Sequence, residues 1–176
     1  MYFYKAMNLR DTLLTEHSKA QADKVVQWIG SHQQRFDQLF TLFTSDDSKV
    51  VQRAAWPLSY AVAAHPVLIQ KHFGKLLRYL KQPGLHDAVK RNSVRLLQDM
   101  DIPKKYQGDV MNLCFDYIIS PKEKPAVKAF SLTVLQNLSR QYPEIKNELR
   151  TIIETQWDNE SPAFRSRARK ILKELK

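Results

Sequence analysis

The side chains with chemistry to offer are five histidines, one cysteine, three tryptophans and an excess of lysine and arginine over aspartate and glutamate, 28 against 18. His17, His32, His65, His72 and His86 never fall at a His-x-x-x-His interval, nor at a ligand interval from Cys114, so no metal centre is read from them. No glycine-rich phosphate loop and no Gly-x-Ser-x-Gly turn occurs, and no catalytic residue or cofactor is assigned. Asp46 and Asp47 stand side by side where a helix should begin. Carboxylates there cap free amide groups and suit the helix dipole, which explains them without a metal. Trp157-Asp158 is the one adjacent pair of its kind, and base excision needs an aromatic surface beside a carboxylate. Tryptophan in helical sequence serves mostly as core or groove lining, so that reading is set aside.

Charge says more than motif. The net charge is +10, and it is uneven. Residues 1–46 balance five basic against five acidic side chains, residues 70–106 carry nine against three, and residues 161–176 carry six against one. Two groups are singled out as binding residues: Lys71, Lys75 and Arg78, spaced to lie on one helix face away from the buried one, and Arg165, Arg167 and Arg169 near the chain end. One repeat after the first group come Asp109, Leu113 and Asp116, and two repeats after it Asn147, Thr151 and Glu154. The same face thus starts basic and turns acidic, whereas a nucleic-acid track should keep its phosphate contacts going.

The elements that must position these residues announce themselves by repetition. Val51, Val89, Val127 and Phe164 follow one another at 38, 38 and 37 residues. Four positions after each comes a small side chain: Ala55, Ser93, Ser131 and Ala168. Seven after come Leu58, Leu96, Val134 and Ile171, and eight after come Ser59, Leu97, Leu135 and Leu172. Offsets of 0, 4, 7 and 8 lie on one side of a helix, so each copy is amphipathic, and the small residue lets a neighbouring helix approach. A second set keeps step: Phe73, Met111 and Leu149, then Leu76, Cys114 and Ile152, then Leu77, Phe115 and Ile153. A period near forty on helical sequence is the signature of stacked helix pairs.

In chain order, the spacing predicts helices over 8–17, 18–30 (capped by Ser18 and ended by Gly30), 31–43 (capped by Ser31) and 49–64, the last with a kink at Pro57. Further helices are predicted over 66–81, 86–100, 103–119, 124–141, 143–158 and 161–175, with Pro66, Pro103, Pro143 and Pro162 at first turns. One domain spans 1–176. Residues 1–46 form a divergent N-terminal unit, 47–160 three helix-pair repeats, and 161–176 a capping helix. Tyr2-Phe3-Tyr4 is read as an aromatic cap or an upstream start, with Met7 as an equal one. The lone cysteine fits a reducing compartment and a buried position. With no apolar run long enough to span a bilayer, the expected location is the cytoplasm and the expected state a monomer.

Period, small-residue position and proline-marked turns over roughly 47–176 resemble the HEAT-repeat and armadillo-like superhelical family. The resemblance implies an all-α, right-handed superhelical stack of nine to ten helices in antiparallel pairs, with a concave face that binds proteins or nucleic acids. It therefore implies a non-enzymatic scaffold docking a protein or peptide partner without a cofactor. The alternative is a nucleic-acid-binding or repair protein like the HEAT-like alkyl-DNA glycosylases, for whose catalytic residues no motif is present here.

Overall fold

Four helix starts among the described residues are fixed by side chains that capture free amide groups. Asn8 accepts from Asp11 N, Ser18 from Gln21 N, Asp47 from Lys49 N and Val50 N, and Ser161 from Phe164 N. The computed structural model describes residues 7–175, so the aromatic Tyr2-Phe3-Tyr4 lies outside the described residues. Among the described residues the regular structure is ten α-helices and two short 3-10 segments, with no strand. The class is all-α, as expected. The chain divides into two compact units, residues 1–96 and 97–176.

The first unit holds α1 (Leu9–Thr15), α2 (Lys19–Ile29), α3 (Gln33–Phe43), α4 (Ser48–Ala64), α5 (Phe73–Leu80) and most of α6 (Asp87–Gln98). Its centre is α4, which packs on α1, α2 and α3. Val25, Ile29, Phe36, Leu39, Phe40, Phe43, Val50 and Leu58 are almost wholly shielded from solvent there. Burying side chains of this size stabilises by about 1.5–3 kcal/mol each before entropy is counted. Gly30 ends α2 at φ 50°, a left-handed conformation that a side chain would strain, with its N–H on the Val26 carbonyl. Arg53 of α4 reaches α1 and donates to the carbonyls of Leu13 and Leu14, satisfying the last turn of that short helix. The α4 helix runs through Pro57.

The second unit holds α7 (Lys104–Ile119), α8 (Pro125–Ser139), α9 (Ile145–Gln156) and α10 (Pro162–Glu174). Here α8 is central, packed between α7 and α10 and touching α9. The four small positions of the repeat, Ala55, Ser93, Ser131 and Ala168, are all buried, and so are the four anchors and the four positions seven beyond them. Of the positions eight beyond, Leu172 alone is only half-buried.

The structure departs from the sequence reading in three places. The third helix is preceded by His32 rather than capped by Ser31, and His32 makes no side-chain cap. The stretch read as one helix over 66–81 begins with a 3-10 segment, Pro66–His72, before α5 starts at Phe73. On α7 the inward face is turned by about one residue: Val110, Leu113, Cys114, Tyr117 and Ile118 are buried, while Met111 and Phe115 are half-buried. Gln107 accounts for that turn. It is buried, donates to the Ile102 carbonyl (3.0 Å) and Gln141 Oε1 (3.1 Å), and accepts from the Tyr142 hydroxyl (2.6 Å), which holds its side of α7 inward.

Candidate functional site

The first basic group divides in two. Lys75 and Arg78 lie on α5, three residues apart and therefore neighbours, and both are exposed. Lys71 lies in the preceding 3-10 segment, where the turn per residue is tighter, and is drawn off to Asp37 of α3 at 2.5 Å. The same carboxylate takes His72 Nε2 at 2.7 Å and the Gln33 amide at 2.9 Å. Gln33 also donates to the Leu68 carbonyl, and the His72 ring stacks on Phe40 at 4.3 Å. Burial alone would raise the Asp37 pKa, but the bonds from Lys71, Gln33 and His72 outweigh it and hold the carboxyl at about 2. Lys71 is thus a structural cation that ties the 3-10 segment to α3.

Lys75 and Arg78 border a cleft of about 480 Å³ lined also by Thr44, Asp46, Tyr79 and Leu85. The Tyr79 ring that lines it is set edge-on to Phe43, with centroids 5.5 Å apart. The Lys75 ammonium sits 5.7 Å from the centre of the Phe40 ring. Burial, with the charge of Asp46, pushes the Tyr79 hydroxyl above its usual pKa, so it stays a neutral donor. Two exposed cations beside an aromatic ring, with a carboxylate at one rim, can take an acidic side chain and an apolar neighbour together. Of the residues one repeat further on, Asp109 and Asp116 are exposed on α7, but Leu113 is buried and belongs to the core. Asn147, Thr151 and Glu154 are exposed on α9.

The second basic group lies on α10, where Arg165 and Arg167 are half-buried and Arg169 exposed. At 100° per residue Arg165 and Arg169 fall on one flank of the helix, with Lys173, and Arg167 falls on the other with Lys170. The Arg169 guanidinium covers the Trp157 ring at 5.5 Å. Among the described residues none of these arginines pairs with Glu154, Asp158 or Glu160. Glu160 is taken instead by Lys128 of α8, and that pair is nearly shut off from water.

This buried pair escaped the sequence reading. Lys128 and Glu160 are 6% and 10% exposed. Gln156, its amide nitrogen turned toward its acceptors, donates to Glu160 Oε1 (3.0 Å) and to the Ile118 carbonyl (2.8 Å). A cleft of about 660 Å³ lies over the pair, rimmed by Ile119, Pro121 and Pro125. One signal was available: Lys128 is the sole charge in the apolar run AVKAFSLTVLQNL. All three tryptophans are half-buried, and Trp28, like Trp157, carries an arginine on its face, Arg35 at 5.1 Å. Among the described residues no group of three or more histidine, cysteine or carboxylate side chains could hold a metal ion. Nor, among them, is any helix long and apolar enough to cross a membrane.

A family model described as a HEAT repeat domain matches residues 9–175. No curated protein and no solved structure matches the chain.

Proposed function

The chain belongs to the HEAT-repeat family, a family of helical-repeat scaffolds that mediate protein interactions, and from that membership we propose that it is a non-enzymatic docking module for an acidic protein or peptide segment. The docking residues are Lys75, Arg78 and Tyr79, with Asp46 setting the orientation of the bound segment. The observation that carries this reading is the cleft of α5, which two exposed cations, Lys75 and Arg78, line together with the Tyr79 ring. Tyrosine and arginine are the side chains in which binding energy concentrates at protein interfaces. A carboxylate at the rim repels acidic groups on one side and so favours one direction of the bound segment.

The experiment is affinity capture from cell lysate at physiological salt after nuclease treatment, with the wild type and K75E/R78E side by side. The expected result is a set of acidic partners lost from the variant, while its melting temperature stays within the small change typical of exposed charges, about 0.5 kcal/mol. Capture that disappears with nuclease, or that is unaltered in K75E/R78E, overturns the reading.

A further inference from the structure

The two flanks of α10 are charged differently. On the side of Arg167 and Lys170 stands Glu174, whose carboxylate accepts from Gln136 (2.6 Å) and Arg140 (3.3 Å) of α8 and its end. On the other side Arg165, Arg169 and Lys173 form a line at intervals of four residues. Among the described residues none of these three takes a carboxylate partner. The helix dipole does not account for the line, because Arg165 lies in the first turn, where a cation is disfavoured. Beside it, in the 3-10 segment Trp157–Asn159, the half-buried Trp157 ring packs under Arg169.

We infer that this flank of α10 binds single-stranded nucleic acid, with Arg165, Arg169 and Lys173 on successive phosphates and the Trp157–Arg169 pair as the surface against which a base stacks. The spacing supports a polymer with a charge on every unit. Three cations at four-residue intervals span about 12 Å of helix. Neighbouring cations of the line therefore stand about 6 Å apart along the helix, an even step that a chain with one charge on every unit can follow. An acidic protein segment has no reason to repeat its charge in step with the line. The aromatic ring selects a single strand over a duplex, since only unpaired bases offer a free face. The α5 cleft plays no part in this site, so each stands or falls alone.

The probe is labelled oligothymidine, titrated by fluorescence anisotropy at several salt concentrations with the full chain. R165Q/R169Q should lower affinity by about ten-fold or more and flatten the dependence of log affinity on log salt by about 1.4, the contribution of two single-strand phosphates. R167Q/K170Q removes the same charge from the other flank and should change affinity less than about two-fold. Intrinsic fluorescence should be quenched on binding, and W157F should abolish that quenching. If R169Q loosens the packing of Trp157, seen as a lower melting temperature, R165Q/K173Q removes two charges of the line without touching the ring. Equal losses in the two flank variants would reduce the effect to net charge and overturn the site. So would displacement of the oligonucleotide by polyglutamate at equal charge concentration, or quenching that survives W157F.

Discussion

Each unit is tied together across about one repeat by a lysine–carboxylate contact, yet the two contacts live in different dielectric surroundings. In the first unit Lys71 and Asp37 are 53% and 29% exposed, and the carboxylate is shared with His72 and Gln33. In the second, Lys128 and Glu160 are 6% and 10% exposed, with Gln156 as their third member. Water screens the first pair, so its net contribution is that of surface pairs, about 0–1 kcal/mol. The second has surrendered its hydration and depends on being complete. Removing one partner there leaves a bare buried charge, a loss of about 3–5 kcal/mol, even where an apolar replacement of both would be nearly neutral. Contact length is therefore a poor guide to importance here, and burial a good one.

The largest expected effect is accordingly at the buried pair. Lys128→Met should destabilise the second unit by about 3–5 kcal/mol in thermal or urea unfolding, and K128M/E160L should recover much of the loss. A single variant as stable as the wild type would place the pair in water and erase the contrast. Next is the packing around it. Ser131, fully buried three residues along the same helix, stands where α8 meets its neighbours, and Ser131→Leu should cost about 1–3 kcal/mol by overpacking. An unchanged melting temperature would mean that the small-residue register is wrong.

The smallest effect, and the one with a pH signature, belongs to Asp37→Asn. Its pKa is lowered in the folded chain, to about 2 from an ordinary 3.8, so its contribution is fully present above the ordinary value. That contribution should fade as pH falls through about 2. The stability gap between wild type and Asp37→Asn should therefore be about 1–2 kcal/mol near neutrality, the linkage value reduced by partial solvent screening, and should close in acid. A gap that widens on acidification would show that the carboxyl is not held by its cations.

What could be read in advance follows from how local each interaction is. The 38-residue step put Val51, Val89, Val127 and Phe164 inside because a helix stripe is a property of neighbouring residues. Ser18 and Gly30 were legible for the same reason: caps act over three or four positions. The pair of Lys128 with Glu160 spans 32 positions and needs the packed structure to exist before it has meaning. The 3-10 segment at 66–72 is similar, since it is held from 35 and 34 positions away by Asp37. Leu113 was placed outside because α7 was assumed to keep strict register, and the buried Gln107 turned it. The first basic group was read as one face of a single helix and the second as a cluster near the chain end, but Asp37 removes Lys71 from Lys75 and Arg78, and helix geometry parts Arg167 from Arg165 and Arg169.

Cys114 gives the second unit a built-in clock. The thiol is wholly enclosed, and burial pushes its pKa up to about 12 against a small opposing pull from the Ser131 hydroxyl. The enclosed thiol is thus held protonated, whereas alkylating reagents attack the thiolate. Modification must wait for α7 and α8 to part, so the rate at which an alkylating reagent enters reports how often this interface opens in the native protein. The single sulfur of the chain thus converts a breathing motion into a chemical yield.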